Sequence, residues 1–419
     1  MPARLVIIGS GETSPTMVKL HRELLAAAPG VAAMLDTPFG FQVNADDLTD
    51  KIRGYFSESV GRDIDVARWR RRDEPATIRE RALATMNRAD WLFAGPGSPS
   101  YALRQWIDTP VPAALIDMIG RGGTAVVGSA AAVTLGEFSI PVYEIYKVGD
   151  EPRWDAGLDL LGALLGIRAA VIPHYDNREG GRHDTRFCYL GAQRLASMED
   201  SLPAEVGVLG VDEHTAVVLD LDSRTATVHG AGGITLRHRD RQIVVPAGES
   251  LTIDDLASHV RGDGGSAVAS PIATVAPSEV ADARLASEAP SLKAVALAHQ
   301  PAFDLLLGAG DAEGALGEAL ALEEQIHAWS ADTLQGSELE NARTILRGML
   351  VALAGAAESG LRDEREVIAP YVEVALSLRA RARADKDFAT SDAVRDALAA
   401  AGIEVRDTPT GQEWDPVDG

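Results

Sequence analysis

The chain has 419 residues, with 62 Asp and Glu against 39 Lys and Arg, and a formal net charge of −23. That length calls for two or more domains, and the acidic balance argues against non-specific binding to nucleic acid or anionic membranes, which requires basic surface. A single cysteine, Cys188, excludes an internal disulfide framework and a cysteine-based zinc cluster and fits a reducing, cytoplasmic setting.

The first apolar run, Leu5–Ile8, reads as a short buried strand entering Gly9-Ser10-Gly11-Glu12. It lacks the length of a secretion-signal core, and no segment approaches membrane-spanning length. Only two glycines of the dinucleotide fingerprint are present, so the loop reads as a tight turn at a parallel strand's carboxyl end. Met17–Ala28 is expected to be a helix, Val31–Leu35 a strand and Asn44–Ser57 a helix. The basic segment Arg68-Trp69-Arg70-Arg71-Arg72 reads first as a solvated edge, with substrate attraction as the other option. Ile78–Asn87 is helical, and the strand Trp91–Ala94 runs into Gly95-Pro96-Gly97-Ser98-Pro99-Ser100. Strands alternating with helices at this spacing predict an α/β fold with a mainly parallel sheet covered by helices on both faces. Ligands then bind outside the carboxyl ends of the strands.

Thr124–Gly136 (TAVVGSAAAVTLG) has the form of a buried strand, an abrupt turn carrying one hydroxyl, and a helix of small residues. It is either an ordinary helix N-cap or a nucleophile elbow. In the second case Ser129 is exposed and the Ala130 amide is half of an oxyanion hole. Gly97 is the natural second donor, because a glycine amide approaches a ligand unobstructed; a rigid Pro/Gly turn is the alternative. Further on, a helix is expected over Gly157–Leu165. The strand Ala169–Ile172 ends in Pro173-His174-Tyr175-Asp176-Asn177, on the sheet edge that carries Ser129. His174 there can act as a general base. His174, Asp176, His183 and Asp184 lack regular metal-ligand spacing, so no metal is assigned. Between the strands Val206–Leu209 and Ala216–Asp220, either Asp212 or Glu213 can orient the histidine.

With serine, histidine and acid in this order, the first 260 residues resemble the serine-peptidase family of aspartyl dipeptidase and cyanophycinase. The likeness rests on Val127-Gly128-Ser129-Ala130-Ala131-Ala132 continuing to Leu135-Gly136, and on Pro173-His174-Tyr175 with His183 and Thr185-Arg186. It rests also on Gly210-Val211-Asp212-Glu213-His214-Thr215-Ala216, the loop Gly95–Ser98 and the segment GAGGITL. The resemblance implies a class I glutamine-amidotransferase-like fold and a Ser129, His174, Glu213 triad. It makes Gly97 and Ala130 the oxyanion donors and adds Arg186, Asn177 and Glu12 as substrate contacts. No cofactor is implied, and the substrate class is small acidic peptides or isopeptides. Val127 and Ala131 stand where the family has glycine, so a catalytically degenerate binding or scaffold protein is the rival reading.

Residues 261–292 are rich in Gly, Ser, Ala and Pro and read as a linker. Helical spacing follows over Lys293–Leu307, Ala315–Trp329, Glu338–Ala357 and Arg365–Ala384, and predicts an all-α domain over 293–419. Its last stretch, Lys386 through Trp414, is similar to the C-terminal end of cysteinyl-tRNA synthetase, which raises a tRNA- or synthetase-associated role. From Ser291 onward, however, 11 Lys and Arg stand against 23 Asp and Glu, a poor phosphate binder. The tail is therefore expected to meet a protein partner before tRNA, and the membrane not at all.

Overall fold

The computed structural model describes residues 2–178, 183–263, 292–329, 337–359, 364–408 and 411–417. They form two compact units, one made of residues 1–295 with 324–342 and the other of 296–323 with 343–419. Residues 264–291 of the expected linker lie outside the described residues.

Among the described residues, the strands of the first unit are β1 Arg4–Ile8, β2 Val31–Leu35, β3 Asp65–Ala67, β4 Ala89–Ala94, β5 Thr124–Gly128, β6 Phe138–Ser139, β7 Asp155–Ala156, β8 Ala169–Ile172, β9 Gly207–Val211, β10 Thr215–Asp220, β11 Thr225–Gly230, β12 Gly233–His238, β13 Arg241–Pro246 and β14 Ser250–Thr252. One sheet has the order β14-β11-β10-β1-β5-β4-β2-β3, the other β13-β12-β9-β8-β6-β7. The first five strands of the α/β pattern pair in parallel, as the alternation with helices predicts. Strands β10, β11 and β14 then extend that sheet in antiparallel fashion; the short connection from β10 to β11 leaves no room for a crossover helix.

Alternation along the strands divides the core. Leu5 and Ile7 join Ala125 and Val127 on one face, while Val6 and Ile8 join Val126 on the other. Val127 is thus a core side chain, 3% exposed. Register matters for the site. Ile8 lies opposite Gly128, and Ala94 opposite Val127, so β1, β4 and β5 end together and their loops emerge side by side.

Three expectations need correction. The strand leading to His174 is β8, in the second sheet, so serine and histidine do not share one sheet edge. The β9–β10 turn links the two sheets, which is how they meet. Second, the Arg68–Arg72 segment is only partly solvated. Trp69 and Arg70 are buried, with Arg70 Nε donating to Asp36 at 2.6 Å and its Nη2 to Asp46 at 2.7 Å. An arginine between two carboxylates can leave water. Third, the C-terminal unit is not all-α. Its helices, including Glu364–Ala384 and Phe388–Ala400, are joined by an antiparallel pair, β15 Ile403–Thr408 and β16 Gly411–Pro416. Ile403 and Trp414 from this ribbon pack with Val372 and Leu376, and Arg379, 2% exposed, donates twice to Asp407 at 2.7 and 3.0 Å. Alternating Ile403 and Val405 fix the strand because only one side is apolar.

Among the described residues no helix is long and apolar enough to cross a membrane.

Gly9 closes the junction between the sheets. A Cβ there would sit 2.0 Å from the Asp212 carbonyl oxygen, a backbone atom with no rotamer to yield. Gly9→Ala is expected to destabilise the first unit by roughly 1–3 kcal/mol, as overpacking does, measured as a lower urea midpoint with unchanged slope.

Candidate active site

Three turns converge. Ser129 opens the short helix Ser129–Val133 directly after β5, with φ +48°. His174 follows β8 with the same φ of +48°, and Glu213 lies in the β9–β10 turn next to His214 at φ +51°. Left-handed backbone costs a non-glycine residue on the order of 1–3 kcal/mol and persists where surrounding structure fixes it. At Ser129 that backbone turns the hydroxyl away from the strand toward His174.

Ser129 Oγ and His174 Nε2 are 2.9 Å apart, and His174 Nδ1 is 2.8 Å from Glu213 Oε1. An ionised carboxylate only accepts, so Nδ1 carries the ring proton and Nε2 of the neutral ring accepts from the serine hydroxyl. Ser129 is 7% and His174 5% exposed, which strengthens both bonds electrostatically. Burial pushes the Glu213 carboxyl up, but the His174 bond and charge together with the Asn177 amide outweigh it, leaving the group below its ordinary range. It is therefore ionised at neutral pH.

The surroundings hold this line in place. Asn177 Nδ2 donates to Glu213 Oε1 at 2.9 Å, and Glu213 N–H donates to Asp176 Oδ1 at 2.8 Å. Gly9 O accepts from His174 N–H at 3.2 Å, and Ser10 O accepts from His214 N–H at 3.2 Å. The Tyr189 ring stands 6.2 Å from the His174 ring. Cys188, whose N–H donates to His174 O, has its thiol pushed up to about 12, by burial first and Glu213 second. It is no rival nucleophile.

Gly95 O accepts from Ala131 N–H at 3.3 Å, joining the β4 loop to the elbow helix. Gly97, at φ +147°, passes so near Pro38 that a Cβ would lie 2.1 Å from its carbonyl oxygen. The next amide, Ser98 N–H, donates to that same oxygen at 2.9 Å. Only glycine permits this approach.

Glu12, Asn177 and Arg186, expected as substrate contacts, are each held within the fold. Asn177 is fully buried and spends an amide proton on Glu213, so it positions the acid. Arg186 donates to Asp184 through Nε at 2.8 Å and Nη2 at 2.9 Å, and its guanidinium lies over Phe187. A fork engaged by one carboxylate is not free for another. Glu12 is fully buried, packed under the elbow: a Cβ on Gly128 would lie 3.2 Å from its Cδ, and one on Gly95 3.1 Å from its Oε1. Sequence reasoning missed Asp176 as the acceptor for the Glu213 amide and Gly9 and Ser10 as backbone acceptors. Asp176 lies only two residues beyond His174, but a loop contact across 37 residues leaves no periodicity to read.

Residues 368–414 match the family model described as the cysteinyl-tRNA ligase anticodon binding domain. A cysteine–tRNA ligase from Chlorobium luteolum is 42% identical over 90 residues, which cover 20% of this chain and 19% of the ligase. The chain thus spans about a fifth of that relative's length. Two solved structures resemble the fold: a peptidase from an acI-B1 Actinobacterium (TM-score 0.49, 19% identity, covering 60% of this chain and 97% of the other) and a putative peptidase E protein from Listeria monocytogenes EGD-e (TM-score 0.37, 12% identity, 55% and 99%).

Burial raises the Glu12 carboxyl from 4.5 to about 7. Between those values the folded state holds a proton that the unfolded state has released, so Glu12 costs stability increasingly as pH rises through that window. Glu12→Gln, shaped like the protonated acid, is expected to gain stability relative to the wild type between about pH 5 and about pH 8, by on the order of 3 kcal/mol. Urea unfolding at both pH values checks this; a gap independent of pH refutes it.

Proposed function

We propose that the first unit is a metal-independent serine hydrolase acting on small peptides or isopeptides. The observation that carries this reading is the continuous path of short hydrogen bonds from Ser129 Oγ through the His174 ring to Glu213, 2.9 and 2.8 Å. In the first step Ser129 Oγ attacks the carbonyl carbon while its proton passes to His174 Nε2. Glu213 stabilises the resulting imidazolium and holds the tautomer. The amides of Ala130 and Gly97 take the developing oxyanion. The tetrahedral intermediate collapses as His174 gives its proton to the leaving amine, and water, deprotonated by the same ring, releases the acyl group.

Of the expected substrate contacts, Arg186 is the cation that could receive an acidic residue. Since Asp184 holds that side chain, an acidic substrate would have to displace Asp184. Val127 lies in the core rather than across the elbow, so it supplies less support for a degenerate scaffold than its departure from the family pattern suggests.

Wild-type protein is expected to be labelled by a fluorophosphonate and to hydrolyse members of a dipeptide library. Ser129→Ala should lose labelling and at least ~10³-fold in kcat/KM. Folded wild type that neither labels nor hydrolyses any member removes the hydrolase reading.

The match over residues 368–414 favours one second reading, association with tRNA or a synthetase. It requires full-length protein to retard tRNA at low salt with the steep salt dependence of phosphate contacts. The absence of retardation there leaves the tail to a protein partner.

A further inference from the structure

Glu12 is a buried side chain that the proposed chemistry does not use. Both carboxylate oxygens are buried, and neither has a hydrogen-bond partner among the described residues. Stranding a carboxyl in this way costs several kcal/mol against hydration, and yet it sits under the Gly128–Ser129 turn with Gly95 on its other side.

We propose that Glu12 is a positioning residue for the base: from beneath the elbow it adds a second carboxyl to the field at the His174 ring, alongside Glu213, and so makes His174 a better acceptor for the Ser129 proton. This rests on the hydrolase reading for its purpose, but the coupling of Glu12 to His174 is a property of the folded protein and is measurable without turnover.

The geometry supplies three reasons. First, the loop that carries Glu12 also holds His174, because Gly9 O accepts the His174 N–H. Second, both side chains are shielded from solvent. Glu12 is fully buried and His174 nearly so, and low dielectric lengthens the reach of a charge. Third, no neighbour cancels the carboxyl. On the helix Val18–Ala27, His21 Nε2–H donates to Glu12 O rather than to the carboxylate, and burial pushes its ring down to about 4, so it is neutral. Tyr55 gives its hydroxyl proton to Ser14 O. From the β9–β10 turn, the His214 ring packs against Gly11 and is itself pushed down by burial, while Glu213 is committed to His174 and Asn177. Phe93 and Trp91 on β4 belong to the apolar cluster at this face.

The interaction is reciprocal. The His174 charge favours ionised Glu12, opposing the burial that raises it to about 7, and by linkage ionised Glu12 favours protonated His174 to the same degree. In the acylation step the Ser129 O–H bond breaks and an Nε2–H bond forms on His174, while the Oγ–carbon bond forms and the carbonyl π pair moves onto its oxygen. The positive charge appears on a ring that is bonded to Glu213 and, on this proposal, lies in the field of the Glu12 carboxylate. Glu12 exchanges its own proton with solvent through fluctuations of the fold, outside this step. It touches neither substrate nor reacting atoms.

The test uses the full chain. Imidazole NMR follows the protonation of His174 with pH in wild type and in Glu12→Gln, and carboxyl ¹³C labelling follows Glu12 in the wild type. We expect the His174 ring in Glu12→Gln to take its proton at a pH lower by roughly one unit, the low end of the effect of an opposite charge nearby, and the acid limb of kcat/KM to move in the same direction. We also expect the wild-type Glu12 carboxyl to titrate near neutrality and not in the ordinary glutamate range. Unchanged His174 titration in folded Glu12→Gln overturns the proposal. Where that variant does not fold, a Glu12 carboxyl titrating near its ordinary value of 4.5 overturns it, and one titrating near neutrality with a second inflection at the His174 midpoint supports it. A His174 shift in a protein that hydrolyses no peptide upholds the coupling and removes the hydrolase reading instead.

Discussion

The site depends on one loop, Gly9-Ser10-Gly11-Glu12. Its first two carbonyls accept the amides of His174 and His214, and its last side chain lies beneath the residue that precedes Ser129. Each of the three turns that bear the serine, the histidine and the acid is therefore fixed to the same four residues. Both glycines are demanded by contact rather than by turn type alone: Gly9 passes the Asp212 carbonyl oxygen, and Gly11, at φ +67°, passes the His214 ring at a distance where a Cβ would lie 2.2 Å from Nδ1. A loop whose sequence suggests only a tight turn is the clamp that joins two sheets.

This clamp explains why Ser129 and His174 can carry left-handed backbone. Ser129 in particular has neither the short amide side chain nor the missing Cβ that makes such φ values easy. The strain is held by neighbours, β1 and β5 in register on one side and the Gly9 carbonyl on the other. Strain held this way aims a side chain without a soft rotamer, because the core residues Val127, Ala131 and Ala132 leave the elbow helix no room to shift.

Much of this was legible in the sequence, for reasons particular to certain residues. Strand ends could be read because apolar runs stop at glycine or proline: Ile8 before Gly9, Ala94 before Gly95, Ile172 before Pro173. The parallel pairing of β1 to β5 followed from the intervening helices. What could not be read was which sheet a strand joins, since the apolar run in Thr215–Asp220 and the alternation in Gly233–His238 are the same in either sheet. The split into two sheets escaped for that reason. The fates of Glu12, Asn177 and Arg186 escaped for another. A polar residue near a site has the same letter whether it faces solvent, a neighbouring carboxylate or nothing. Arg70 makes the same point from the opposite direction, since five basic or aromatic letters in a row conceal a buried ion pair with Asp36.

The tail poses the inverse problem, in which the sequence match is clear and the chemistry is not. Residues 368–414 keep the letters of an anticodon-binding segment, and in this chain those letters build a small self-sufficient core: Val372, Leu376, Ile403 and Trp414 inside, with Arg379 sealed against Asp407. Arg379 and Arg383 both serve that one aspartate, and Arg365 pairs with Asp415 while lying over the Trp414 ring. Arg365, Arg379 and Arg383 are thus each paired with a nearby aspartate. A paired cation gains less from a phosphate than a free one, because the aspartate has first to be displaced. For this reason the acidic balance of the tail weighs more than its ancestry in judging what it contacts.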